Sequence, residues 1–558
     1  PGRAENTLLI VVADHETGGL SILDRRARDR YTEALGGVDR MREMIAEQGT
    51  DPSTIGDPMP LMKRGSAGEE GSTDGIVPVF GHLSLASRRY VKASEDFWAI
   101  HTPEMIPMFV EGPGADYLAE AGDNAEVGRR LHELINGERA TGQGLQQEEP
   151  PSSQERSPGN AILFVGDGLG LDPLTAAHYM KGPLTMRSMK SKGLVSTGGR
   201  DRLVPGESVA ATALASGVRT VEGGLSVEAI DGKSSEVASV LERAERNGYR
   251  TGIVTTESLT DPTVAAMYAH GEKLPDEKGR AAAFAGLAGR VDGSDGIDVA
   301  YGGGAGVFDR SQLDGLEGEG GDVGTEWDDG GATDRQVVRL LADGRLPGVA
   351  ERSGDGAAGE LPTLEEMTRA AIDRLADGER PFFLVVEAGG IGRLQRAVDR
   401  SARVAEEVAA FDRAVGAGLE FARRDKRTLV IATADRDYTM SVFDNHYGFN
   451  DQLCGIAKRC GGPMELKALP VAVDKLSKGL TDTSLQGKYA PPQLFLQYAW
   501  PVQAAHRSGE EGGVASANFV PLFAEGPWSK RLEGGIDQTD VGALLVEWAE
   551  SQTIESTN

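Results

Sequence analysis

Cysteine is nearly absent from this 558-residue chain: there are two, Cys454 and Cys460, in the glycine-rich stretch DQLCGIAKRCGG. A fold built on disulfides is excluded, and two thiols with no histidine nearby make a poor zinc site. They read as a local loop staple or as two free thiols. No apolar run comes near the ~18 residues that a membrane-spanning helix needs. Basic charge is in deficit, with 58 Lys and Arg against 86 Asp and Glu and a net charge of −28. That balance argues against a nucleic-acid partner, because an acidic surface repels a polyanion. The chain opens at Pro1 with neither a Met nor a signal-peptide pattern. Its first recognisable element is already a strand, so we expect the natural N-terminus to lie upstream or to have been processed.

What is present is 39% hydrophobic residues, enough for ordinary cores over several domains, and an internal repeat. NTLLIVVADHETGGLSILD (6–24) returns as RTLVIATADRDYTMSVFD (427–444), and EMIPMFVEGPGADYLAEAGDNAEVGRRL (104–131) returns as NFVPLFAEGPWSKRLEGGIDQTDVGALL (518–545). Gly112-Pro113 matches Gly526-Pro527 and Asp123 matches Asp537 at the same spacing, which marks a repeat rather than shared composition. The copies differ where chemistry would sit: Asp14-His15 in the first, Asp435-Arg436 in the second. An Asp-His pair at a strand end is a metal-site pair, whereas arginine is a permanent cation that cannot ligate a metal.

Residues 139–159 are polar and rich in Pro, Ser and Gln without apolar periodicity, and read as a linker. After it, apolar strands near 161–165, 250–255, 382–387 and 428–433 alternate with helical patterns near 234–247, 363–376 and 400–424. This alternation predicts an α/β fold with a doubly wound, mostly parallel sheet flanked by helices. Ligands of such sheets lie beyond the carboxyl ends of the strands. The acidic, glycine-rich stretch 313–332 reads as a surface insertion, and its spacing fits no EF-hand loop.

The predicted strand ends carry acids: Asp167, Asp261 with Thr263, Glu387 and Asp435. Taken singly, each could cap a helix or a turn, as Asp167 could for the helix that follows it. Together they would repel one another unless a cation neutralised them, so a metal cluster is the economical reading.

NAILFVGDGLG (160–170), ATALASGVRT (211–220), GIVTTESLTDPTVAAMYAH (252–270), YGGG (301–304), FFLVVEAGGI (382–391) and the repeats resemble, in order, the motifs of the alkaline phosphatase family. The resemblance implies hydrolysis of phosphate monoesters through a transiently phosphorylated serine, with two zinc ions and one magnesium. It also implies a periplasmic or extracellular setting and allows a homodimer. By this resemblance, residues 1–138 are the C-terminal portion of a first domain and 160–558 a second, nearly complete one, so the chain resembles a tandem pair.

In the first unit Asp14, His15 and His101 match zinc ligands, and zinc is expected there when that domain is complete. In the second, Asp167, Thr263 and Glu387, with Asp261 beside them, match magnesium-type ligands, and Asp435 survives from a zinc site. The remaining zinc positions hold Gly392, Arg396, Arg436 and Ala515, so zinc is not expected in this unit. The phosphate-gripping arginine position holds Leu274. The nucleophile slot falls on Glu207, with Ser208 one residue later, and one residue turns a helical side chain by about 100°. Ser208 is therefore either a nucleophile brought round by a compensating turn or a residue of the helix start. Two function classes follow: an enzyme acting on phosphate monoesters, or a non-catalytic module that dimerises, stabilises or binds an inorganic anion. Arg396 and Arg436 place fixed charges among Asp167, Asp435 and Glu387, which predicts an arginine–carboxylate network in the former zinc pocket.

Overall fold

The computed structural model describes residues 7–13, 105–136, 157–230, 233–288, 296–318, 320–328, 335–349, 351–352, 361–378, 380–396, 403–438 and 515–551. It also describes the backbones of six short strands: Glu16–Thr17, Leu20–Leu23, Val77–Phe80, His101–Thr102, Met440–Asp444 and Leu494–Tyr498. Cys454, Cys460, Asp14, His15 and most of the 139–159 stretch lie outside the described residues.

The first unit begins with β1 (Leu9–Val12), β2 (Glu16–Thr17), β3 (Leu20–Leu23), β4 (Val77–Phe80), β5 (His101–Thr102) and β6 (Met108–Glu111), followed by helices α1 (Ala115–Ala119) and α2 (Asn124–Ile135). Its strands pair as three antiparallel two-stranded sheets: β1 with β6, β2 with β5 and β3 with β4. Asp123 caps α2 by accepting from the backbone N–H of Glu126.

The second unit is built on one ten-stranded mixed sheet. Its elements in chain order start with β7 (Asn160–Gly166), α3 (Leu171–Lys181), β8 (Ser191–Ser196), α4 (Glu207–Ser216), β9 (Val227–Ile230), β10 (Lys233–Glu236), α5 (Val240–Arg246), β11 (Arg250–Ser258) and α6 (Pro262–Ala265). Next come a helix over Glu277–Ala288, β12 (Val299–Gly303), α7 (Arg310–Gly318), β13 (Asp322–Gly324), β14 (Val337–Leu340), α8 (Leu364–Leu375), β15 (Phe382–Ala388), α9 (Gly390–Arg396) and α10 (Val404–Asp425). The chain closes with β16 (Thr428–Ala434), β17 (Asp437–Tyr438), β18 (Met440–Asp444), β19 (Leu494–Tyr498), β20 (Ala515–Ser516), β21 (Val520–Glu525), β22 (Gly534–Asp537) and α11 (Gln538–Glu550).

The order across the sheet is β13-β14-β12-β11-β15-β7-β16-β21-β8-β22. It is parallel from β13 to β16, and β21 runs antiparallel to both β16 and β8. The central strands NAILFVG, FFLVVEA and TLVIATA are apolar without alternation because helices cover both their faces. Phe164 of β7 meets Phe411 of α10 edge to face at 6.2 Å.

Two expectations need correction. The helix expected over 234–247 begins at Val240, where Ser239 and Glu242 form a capping box; Lys233–Glu236 instead pairs with β9 as a hairpin. Ser239 satisfies the first free N–H groups there, so helix cannot extend backward past it. The stretch 313–332 is not simply a surface insertion: β13 lies within it and forms the outermost strand of the main sheet, held by Arg339 to the Asp322 carboxylate at 2.8 Å.

The two units share strand registers. Leu9, Ile10 and Val11 stand opposite Glu111, Val110 and Phe109, as Val430, Ile431 and Ala432 stand opposite Glu525, Ala524 and Phe523. Gly112 and Gly526 both take a left-handed φ, 103° and 106°, and a methyl group on either would lie 2.1 Å from a carbonyl oxygen, that of Thr7 or of Thr428. Glycine is required at both turns for the same steric reason. The units touch through β5 beside β18 and β3 beside β20. The Met105 backbone N–H donates to Thr175 Oγ1 at 3.0 Å, and Arg187 donates to the Gly122 carbonyl at 3.0 Å.

Candidate functional site

The carboxyl ends of β7, β11, β15 and β16 bring Asp167, Asp261, Glu387 and Asp435 to one edge of the sheet, all of them buried or nearly so. Asp167 caps no helix, since α3 begins four residues later, at Leu171 behind Gly170. Asp261 caps the short helix α6, its Oδ1 accepting from the Thr263 N–H at 2.9 Å.

A guanidinium lies among these acids. Arg436 Nη2 donates to Asp167 Oδ1 at 3.1 Å and to Glu207 Oε1 at 2.6 Å, and its Nε lies 3.4 Å from Asp435 Oδ2. Its Cζ stands 5.3 Å from the centre of the Tyr438 ring. Burial alone would weaken the arginine's hold on its proton; the Tyr438 hydroxyl and the carboxylates of Asp435, Asp167 and Glu207 outweigh it and push the value well above the ordinary one. Burial pushes Asp435 up to about 7 against the pull of Arg436. Asp435 Oδ1 accepts from the N–H groups of Gly168 and Arg436, at 3.0 and 2.7 Å.

Glu207, not Ser208, faces this cation. It opens α4 behind Gly206, with its carboxylate at the positive end of the helix. Ser208 is 4% exposed, and its carbonyl accepts from the Thr212 hydroxyl inside the helix. Ser208 is thus placed as a buried residue of the first turn, not as a group turned to the arginine.

Beside the arginine lies a pair of acids without one. Asp261 is half-buried and Glu387 fully buried, and each feels the other's charge. Burial, reinforced for Asp261 by the charge of Glu207, raises it to about 6; burial and the charge of Asp261 raise Glu387 well above its ordinary value. Glu387 Oε2 also accepts from the Thr255 hydroxyl at 2.7 Å. These oxygens, with Thr263 nearby, are hard donors of the kind magnesium prefers. Asp167, the third expected ligand, is committed to Arg436. Among the described residues no group of three or more His, Cys, Asp or Glu side chains is arranged to hold a metal.

Zinc does not fit the second unit. A methyl group on Gly392 would lie 2.5 Å from Asp167 Oδ2, so that acid fills the space a ligand at 392 would need. Ala515 pairs with Tyr438 as His101 pairs with Thr17, which puts alanine where the first unit has histidine. Of Arg396 the backbone alone, the last residue of α9, is described. Leu274 is exposed. His270 is turned to the Ser226 carbonyl and Glu242, both at 3.0 Å, and offers the site no imidazole. Of the first unit's expected ligands, only the His101 backbone is described, beside β2.

Sequence reasoning did not anticipate two glutamines that brace the site. Gln395 donates to the Gly168 carbonyl at 2.7 Å, and Gln538 donates to the carbonyls of Ala434 and Asp435 at 3.1 and 3.0 Å. Neither has a local signature, because each acts on backbone far away in sequence.

The family model described as alkaline phosphatase matches residues 159–551. Alkaline phosphatase 4 of Bacillus subtilis is 30% identical over 450 residues, covering 72% of this chain and 92% of the relative. Streptomycin-6-phosphate phosphatase of Streptomyces griseus is 28% identical over 441 residues, covering 68% and 88%. A variant of the alkaline phosphatase of the Antarctic bacterium TAB5, solved with magnesium bound, superposes with a TM-score of 0.55 at 24% identity, covering 71% of this chain and 99% of that one. No helix among the described residues is long and apolar enough to cross a membrane. The chain belongs to the alkaline phosphatase family.

Proposed function

We propose that residues 160–558 form a family domain that has lost the family's hydrolytic chemistry, whose parent reaction is phosphate monoester hydrolysis, and that it serves as a non-catalytic, stabilising or anion-binding module. The observation that carries this reading is the Arg436 guanidinium bonded to both Asp167 and Glu207. Two-metal hydrolysis needs one cation to activate the attacking oxygen and another to stabilise the leaving oxygen. Here a fixed organic cation holds the carboxylates instead, and a carboxylate stands at the nucleophile position. Neither group can be displaced by substrate without leaving a buried charge unpaired.

Asp261, Glu387 and Thr263 would hold one magnesium ion, which would supply charge neutralisation to the acid pair. We propose in addition that residues 1–138 are the later portion of a first family domain, in which Asp14, His15 and His101 would be zinc ligands. A dimeric assembly and a setting outside the cytoplasm accompany this reading.

The test is hydrolysis of an aryl phosphate by the whole chain with zinc and magnesium added. The expected rate is close to background and unchanged in Ser208→Ala. Robust turnover abolished by Ser208→Ala would overturn the proposal.

A further inference from the structure

The first unit is held against α3 and the helical turn Met186–Ser188 that follows it. Thr175 and His178, three residues apart, share a face of α3. Thr175 is buried, and its Oγ1 accepts the Met105 backbone N–H of the first unit at 3.0 Å. Arg187 makes the second connection. Its Nη2 donates to the Gly122 carbonyl of the first unit at 3.0 Å, while its Nη1 lies 2.9 and 3.1 Å from the two ring nitrogens of the half-buried His178. The guanidinium is a rigid plane, so the ring that holds one of its nitrogens aims the other.

That contact suits only one protonation state of the imidazole. Arginine donates and cannot accept, so His178 has to supply the lone pair. A neutral imidazole has one, whereas an imidazolium has none and sets a second cation against the guanidinium. The surroundings do not offset the repulsion. Burial, and after it the charge of Arg187, bring the histidine down from 6.5 to about 4. On α3 itself, Tyr179 meets the His178 ring edge to face at 5.3 Å, and Lys181 is paired with Glu406 of α10 at 3.5 Å. Asp412 of α10 is engaged by the backbone N–H groups of Thr185 and Met186, both at 2.8 Å. The strands packed on α3, β18 and β19, carry one charged residue between them, Asp444. The acids of the first unit act on the cations: Asp123 on Arg187, and Glu120 on Lys192 of β8.

We propose that His178 and Arg187 form an acid-released latch between the two units. With the imidazole neutral, Arg187 is aimed at Gly122 and the first unit stays docked; protonation of His178 turns the arginine away and frees it. Because the histidine's folded value lies below its unfolded one, the latch is fully held above about pH 6.5 and is lost as the pH falls toward about 4. The latch does not depend on whether residues 160–558 hydrolyse phosphate esters, so its failure is distinguishable from failure of the proposed function.

The Met105 amide is the reporter, because its bond to Thr175 exists only while the units are docked. Hydrogen exchange of the whole chain is followed at about pH 7.5 and about pH 5 and corrected for the intrinsic effect of pH on exchange. Protection of Met105 should fall about tenfold at the lower pH while protection of β7 and β16 is unchanged. His178→Gln keeps an acceptor that does not titrate and should hold the protection at both values. His178→Lys puts a fixed cation beside Arg187 and should lose it at both, as should Arg187→Met, which keeps the stem without the charge. Equal protection of Met105 at the two pH values in the parent chain overturns the proposal. So does an acid loss that persists undiminished in His178→Gln, which would assign it to Asp123 and Glu120, and so does full protection at about pH 7.5 in His178→Lys or Arg187→Met.

Discussion

Arg436 donates to Glu207 across 2.6 Å, joining the residue that the repeat aligns with His15 to the first residue of α4. The two side chains are complementary in charge. Either alone would leave a charge at the sheet edge, the arginine among fewer acids or the glutamate beside further carboxylates. Together they close the pocket with a network that also holds Asp167 and Asp435.

Arg436→Ala should therefore destabilise the second unit strongly. It strips the cation from Asp167 and Asp435, both buried, and removing one partner of a buried ion pair costs about 3–5 kcal/mol. Urea melts of the variant beside the parent chain check this, and an unchanged midpoint would place the arginine outside the network's energetics. Glu207→Gln, at a side chain 33% exposed, should cost less.

Substituting alanine at the two matching glycines should have opposite effects. Gly542→Ala forces a methyl group into the Ala213 carbonyl and should cost about 1–3 kcal/mol. Gly128→Ala enters open space on a helix and should stabilise the first unit by about 1 kcal/mol. Thermal melts of both variants, resolved by hydrogen exchange in α2 and α11, test the contrast.

Metal content should follow the donor set. Elemental analysis of dialysed protein is expected to find at most about one tightly bound divalent ion in the second unit, magnesium rather than zinc, because hard oxygens without imidazole favour it. Two equivalents of zinc bound by residues 160–558 would contradict this. Asp261→Asn should abolish the magnesium.

Stability should depend on pH through His270 and Glu242. Burial opposes the charge on His270, but its hydrogen bond to Glu242 outweighs that and raises it above 6.5. Burial likewise opposes ionisation of Glu242, and the bond to His270 lowers it below 4.5. The histidine's contribution is fully present below its unfolded value and fades as pH rises through the folded one. The glutamate's is present above its unfolded value and fades as pH falls through the folded one. Melts at about pH 6 and about pH 9 should show a loss of stability at the higher pH that is smaller in Glu242→Gln.

Much of the fold was legible because it is written in local patterns. The unbroken apolar runs of β7, β15 and β16 predicted buried parallel strands, and all three hold the centre of the sheet. The helix over 363–376 was equally clear, with Thr363 and Glu366 forming its capping box. The hairpin at 233–236 was missed because its polar residues KSSE carry no strand alternation; pairing with β9, not sequence, makes it a strand. At the site, the arginine in the Asp435-Arg436 pair was readable from the repeat, but the choice between Glu207 and Ser208 was not. That choice depends on the rotation of α4, which is set by where the helix starts behind Gly206 and by its contact with α11.

The sequence by itself determined the family, the strand ends that carry acids, the glycines common to both units and the arginine standing in place of histidine. Each is a residue type at a position, which periodicity and motif order reveal directly. Only the tertiary structure decided that Arg436 takes Asp167, 269 residues away, that Glu207 completes the pocket, and that Gly128 faces open space while Gly542 touches a helix. Those outcomes depend on which surfaces meet across the fold, and the direction of a side chain is fixed by the packing around it, not by its neighbours in the chain.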